Sequence, residues 1–146
     1  MSMKSAVALL LAAAAPLLVS AEFLPLAGYD TTYEVVTEGE GEPLVTKGAK
    51  VRVHATGTVE QTNKKFWSTK DDGQRPFEYN AGVGGVITGW DQGCLGMKLG
   101  EVRKLRIPAT EGYGAQGFPA WGIPPAATLL FEIELLKVIT PGKSEL

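Results

Sequence analysis

Val86-Ile87-Thr88-Gly89-Trp90-Asp91-Gln92-Gly93-Cys94-Leu95-Gly96-Met97-Lys98-Leu99 carries helical spacing inside a chain otherwise patterned for strands. From Ile87 to Leu99, the residues Ile87, Trp90, Cys94 and Met97 recur at steps of three or four, which sets them on one face. Gly89, Gly93 and Gly96 would weaken such a helix in isolation, so packing must hold it. Gly100 reads as its stop. On both sides the period falls to two. Within Lys50–Val59, Val51, Val53, Ala55 and Gly57 share one face, and Arg52, His54 and Thr56 the other. Glu101–Ile107 alternates Arg103, Leu105 and Ile107 against Val102, Lys104 and Arg106. Thr128–Val138 sets Leu129, Phe131, Ile133 and Leu135 against Glu132 and Glu134. Shorter strands are predicted at Tyr33–Thr37, Phe66–Thr69 and Pro76–Tyr79. The expected fold class is α+β: an antiparallel sheet with one face laid on a single short helix.

The ends of the chain read differently from its middle. Lys4, the apolar run Ala6–Val19 and the small residues of Val19-Ser20-Ala21 form the three-part pattern of a secretory signal peptide. The run contains Pro16 and falls short of the roughly 20 residues a spanning helix needs, so cleavage after Ala21 is expected over an uncleaved anchor. No membrane association is expected after cleavage. The final Lys143-Ser144-Glu145-Leu146 resembles the lysine-aspartate-glutamate-leucine signal that returns proteins to the endoplasmic reticulum, with Ser for Asp. Export and retrieval together predict residence in the endoplasmic-reticulum lumen, with secretion as the alternative.

Composition excludes several classes. Fourteen basic and sixteen acidic residues leave a net charge of −2, and no basic patch argues for nucleic acid. Eighteen glycines and nine prolines mark a turn-rich domain, while 45% apolar residues are too many for disorder. Cys94 is the single cysteine, so the core must hold without an internal disulfide. It lies on the apolar helix face, where packing is favoured over nucleophilic chemistry.

Motifs with chemical meaning are few. Gly112-Tyr113-Gly114-Ala115-Gln116-Gly117 matches the dinucleotide fingerprint literally, but Pro119, Gly122, Pro124 and Pro125 prevent the helix that motif requires. Gly82-Val83-Gly84-Gly85 lacks the Lys-Ser/Thr of a phosphate loop and reads as a connector. His54 is alone and without an evident catalytic partner, and Asp71-Asp72 reads as a solvated turn. No cluster of metal ligands occurs in the sequence, so neither a metal nor a cofactor is expected. The aromatics are more informative. Phe66, Phe77, Tyr79, Trp90, Tyr113, Phe118, Trp121 and Phe131 fall around the helix and in the loops after it. Tyr113 and Trp121 lie in Gly/Pro-rich loop sequence, where side chains usually meet solvent or ligand. Gathered together, these rings would form an apolar cup with a phenol at its rim, suited to an uncharged ligand such as a proline ring.

With those residues in view, the chain closely resembles the FKBP-type peptidyl-prolyl cis–trans isomerases, the immunophilins that bind tacrolimus and rapamycin. The resemblance runs from about Lys47 to Val138 and rests on Val51–Gly57, Lys65–Thr69, Pro76–Tyr79, Val86–Trp90, Tyr113–Ala115 and Ile123–Leu136. With the leader and tail, the chain is similar to the endoplasmic-reticulum branch of that family. The implied layout is a signal peptide at 1–21, an N-terminal segment with the first strand at 22–46, the isomerase domain at 47–138 and a tail at 139–146. The implied fold is a twisted antiparallel sheet of about five to six strands wrapped around one short helix.

The resemblance also implies a site. Trp90 would be its floor, and Phe66, Phe77, Val86, Ile87 and Phe131 its walls. Tyr113 would stand at the rim, with Phe118, Trp121 and Ile123 flanking the opening. The Ile87 N–H and the Tyr113 phenol would donate to ligand carbonyls, and Phe66, Ile87, Trp90 and Tyr113 would carry the catalysis. Proline-containing segments of folding proteins would be the substrates, macrolides such as tacrolimus or rapamycin would bind, and a monomer is expected. Two residues depart from the family pattern: Ala55 replaces a tyrosine, and Trp67, itself among the ligand-binding positions, replaces an aspartate. Against the same pattern one residue is inserted between Phe66 and Phe77, and another around Ala120–Gly122. These departures predict a wider, more apolar site, and they admit an alternative reading as a low-turnover proline-peptide-binding or chaperone module.

Overall fold

The computed structural model describes residues 22–142; the signal-peptide and retrieval readings therefore lie outside the described residues. Among the described residues, seven strands and one short helix follow in the order β1 (Leu24–Pro25), β2 (Thr32–Thr37), β3 (Lys50–Val59), β4 (Lys64–Ser68), β5 (Phe77–Asn80), α1 (Thr88–Gly93), β6 (Val102–Ile107) and β7 (Leu129–Ile139). Single 3₁₀ turns span Ala109–Glu111 and Pro119–Trp121. The sheet runs β1-β2-β6-β7-β3-β4, and β5 pairs with β3. Each of these pairings is antiparallel. The expectation of five to six strands is corrected upward by β1, whose two residues pair with Thr32 and Tyr33 and show no alternation of their own.

Period-two patterning becomes one-sided burial. Val51, Val53, Ala55 and Val59 of β3 are buried, as are Leu129, Phe131, Ile133 and Leu135 of β7. β3 is long enough to carry two partners along one edge. β5 pairs over Lys50–Val53 and β4 over Thr56–Val59, so these two short strands lie end to end. That junction brings Trp67, near the end of β4, beside Phe77, the first residue of β5.

α1 is shorter than the Ile87–Leu99 helix predicted from spacing. Its end is decided by tertiary bonds. Gly96 N–H donates to the Val45 carbonyl at 2.8 Å, and Val45 N–H donates to the Met97 carbonyl at 2.9 Å, so the backbone leaves the helical pattern. Arg103 completes the stop by donating from Nη1 to the carbonyls of Gly93 and Leu95 at 2.9 and 3.2 Å. A cation there also suits the negative end of the helix. This guanidinium is buried but ion-paired with Glu101 at 2.7 Å, and its face lies 4.7 Å from the Tyr33 ring centroid. Cys94 and Met97 remain fully buried beyond the helix, as their spacing requires.

The helical glycines permit close packing. A Cβ on Gly89 would stand 2.5 Å from Ile107 Cγ2 and Thr31 Oγ1, and one on Gly93 would stand 2.8 Å from a Leu105 methyl. Their bare backbone lets α1 rest directly on β6 and present Trp90 to the concave face.

Candidate active site

Trp90 is 4% exposed and lies at the base of a cavity of about 220 Å³. Phe131 meets it edge-on at 4.8 Å between centroids, and Phe77 does so at 5.8 Å. Tyr79 supports the floor from behind, edge-on to Trp90 at 6.0 Å. Trp67, Val86, Ile87, Tyr113, Trp121 and the Gly85 backbone complete the lining. Neither Asp, Glu, Lys, Arg nor His contributes to that wall.

A loop held by a buried carboxylate delivers Val86 and Ile87. Asp91 Oδ1 accepts Gly82 N–H and Oδ2 accepts Gly84 N–H, both at 2.8 Å. Both glycines have positive φ, +74° and +80°, a conformation side chains rarely tolerate. The Gly82–Gly85 segment is therefore more than the connector its composition predicts. At its end, the Ile87 carbonyl accepts from Asp91 N–H at 2.9 Å, while the Ile87 N–H has no acceptor among the described residues. The Tyr113 phenol likewise makes no hydrogen bond there, and partial burial raises its pKa above the ordinary tyrosine value. It remains a proton donor at neutral pH.

The structure gathers most, but not all, of the residues singled out from sequence. Trp67, Phe77, Val86, Ile87, Trp90, Tyr113, Trp121 and Phe131 line one cavity. Phe66 does not line it; its ring stands edge-on to Phe131 at 5.6 Å and buttresses that wall. Both rings close over Gly57, where a Cβ would fall within 2.6 Å of each. Phe118 lies outside the cavity, stacked on Tyr113 at 5.2 Å and edge-on to Trp121 at 5.6 Å. Ile123 is also not among the residues lining the cavity. It is 1% exposed and packs in the core, while its backbone pairs with Phe118. Membership of a loop did not reveal that this side chain points inward.

The two residues that depart from the family pattern take different places. Trp67 forms part of the wall, tilted to Trp90 at 6.3 Å and stacked on Trp121 at 6.1 Å. Its Nε1–H donates to Gln74 Oε1 at 3.4 Å. Ala55 is buried beneath the sheet and does not reach the cavity lining. The Gly112–Gly117 segment opens no helix; Gly117 packs against the Ile123 and Pro124 carbonyls, closely enough to exclude a Cβ.

The fold is thus an antiparallel sheet with an aromatic, charge-free cup above its helix. The chain belongs to the FKBP-type peptidyl-prolyl cis–trans isomerase family, whose model matches residues 41–136. Its reaction is therefore isomerisation of prolyl peptide bonds. Peptidyl-prolyl cis-trans isomerase FKBP12 of Arabidopsis thaliana is 50% identical over 107 residues, covering 72% of this chain and 95% of the relative. FK506-binding protein 1 of Saccharomyces cerevisiae is 46% identical over 103 residues, covering 70% and 88%. Among solved structures, the N-terminal domain of FKBP42 from Arabidopsis thaliana superposes with a TM-score of 0.73 at 25% identity, covering 82% of this chain and 94% of that one.

Proposed function

We propose that the Trp90 cavity takes the proline ring of an X-Pro bond and that catalysis is differential binding of the twisted amide. The barrier of about 18–20 kcal/mol comes from amide resonance, and the uncatalysed reaction takes roughly tens to hundreds of seconds. Water favours the planar, polarised amide. A wall without charged groups withdraws that support, while Ile87 N–H and the Tyr113 phenol hold the flanking carbonyls. The composition of the cavity wall is the observation that carries this reading.

Trp90→Ala should lower kcat/KM on a proline peptide by about tenfold or more, equivalent to about 1.4 kcal/mol of transition-state binding. The assay is protease-coupled isomerisation, with circular dichroism used to check that the sheet persists. Undiminished turnover in a folded variant would remove the cavity from the mechanism. Trp67 at the mouth favours one second reading, a slow catalyst that mainly holds proline segments; binding without acceleration over background in that assay would select it.

The same site is proposed to accept macrolides such as tacrolimus or rapamycin. The setting is proposed to be the secretory pathway, supported by the leader 1–21 and the Lys143–Leu146 tail. In this reading residues 47–138 are the catalytic domain, acting as a monomer on folding proteins in the endoplasmic-reticulum lumen.

A further inference from the structure

A second concavity, of about 620 Å³, adjoins the proline cavity. Trp67, Phe77 and Trp121 line both, so the stacked indoles form a ridge between them. The far side of the ridge differs in kind. Arg52, Arg75 and Glu78 line it, together with Gln74 and Pro76. Arg52 is committed to Glu78, with Nε to Oε2 at 2.7 Å and Nη2 to the same oxygen at 2.5 Å. Hydrogen bonding and charge from Arg52 hold the Glu78 carboxyl below its ordinary pKa. Arg75 has no carboxylate partner among the described residues, whereas Arg103 pairs with Glu101 and Arg106 with Glu60. Two guanidiniums thus face one carboxylate, and one of them is uncommitted.

We propose that this trough is a subsite for substrate residues flanking the proline, and that Arg75 selects an acidic side chain there. The inference rests on the proline ring occupying the Trp90 cavity. A peptide leaving that cavity over the ridge meets Trp67, whose ring centroid is 6.3 Å from that of Trp90. An extended chain advances about 3.3–3.6 Å per residue, so the ridge is reached in about two residues. The side chain beyond the ridge then lies beside Arg75, where a carboxylate gains a guanidinium partner and a lysine meets net positive charge.

The test is a set of peptides with one X-Pro bond and a single Asp, Ala or Lys placed about two or three residues to either side of it. Each is measured for kcat/KM by the native protein and by Arg75→Gln and Arg75→Lys. At one of these positions Asp should exceed Lys by roughly three- to tenfold in low salt, and the advantage should shrink in high salt. Arg75→Gln should bring that ratio close to one, and Arg75→Lys should retain most of it. Because the ratio is taken within each variant, a general loss of activity cancels. Equal rates for Asp and Lys at every position, or a preference that survives in Arg75→Gln, would overturn the subsite. If no peptide is accelerated, the Trp90 mechanism fails instead. The subsite is then judged by peptide affinity, read from the fluorescence of Trp67, Trp90 and Trp121, with the same ratios deciding it.

Discussion

Gly89 shows two residue-scale effects in conflict. Alanine at a helical position is ordinarily favoured over glycine by about 0.5–1 kcal/mol. Here the added methyl would stand 2.5 Å from Ile107 and from Thr31, both fixed in the structure. Overpacking of that kind costs about 1–3 kcal/mol, so the clash should win. Gly89→Ala is expected to lower the midpoint of chemical denaturation despite its better helix propensity. An unchanged or raised midpoint would show that α1 can lift off β6 without penalty. Buried ionisable groups are quieter. Burial pushes the Cys94 thiol up to about 12, and Tyr79 is also shifted upward by burial. Both side chains therefore stay neutral at ordinary pH and act as packing groups beneath Trp90.

Between elements, Glu111 is the latch that fastens the N-terminal segment to the turn after β6. Its carboxylate accepts Asp30 N–H at 2.8 Å, Thr31 N–H at 2.9 Å and Thr31 Oγ1–H at 2.6 Å. Partial burial opposes ionisation, but these hydrogen bonds outweigh it and hold the carboxyl below its ordinary pKa. The sign follows directly: the unfolded chain binds this proton more readily than the folded one. The contribution is full above the unfolded value, about 4.3, and fades as pH falls through the lowered folded value. Glu111→Ala should be less stable than the native protein at neutral pH, and the gap should close in acid below about pH 4. Amide exchange at Asp30 and Thr31 reports the same latch. A gap that does not vary with pH would mean that the carboxylate charge plays no part.

For the whole molecule, the addressing reading is tested by tagging the full chain with and without Lys143–Leu146. Retention of the full chain and secretion of the shortened one is expected; identical secretion of both would reject retrieval by the tail. How much of the architecture could be read in advance followed its physical range. Alternation in β3 and β7 is local, so their buried faces were legible residue by residue. The end of α1 was not, because Val45, distant in sequence, takes the bonds that would have prolonged it. The gathering of Trp90, Phe77 and Phe131 around one cavity was legible through family resemblance, whereas the burial of Ile123 was not, because its backbone pairs with Phe118. The trough was invisible for the same reason: it exists only because two strands meet end to end on β3. That meeting has a further consequence. Thr69 is still tied to β3, its N–H donating to the Ala55 carbonyl at 2.9 Å, but residues 70–76 pair with no strand, so lengthening or recomposing that loop leaves the β3 ladders intact. On the proposed reading, substrate preference can drift through this one loop between β4 and β5 while the cavity above Trp90 keeps its floor.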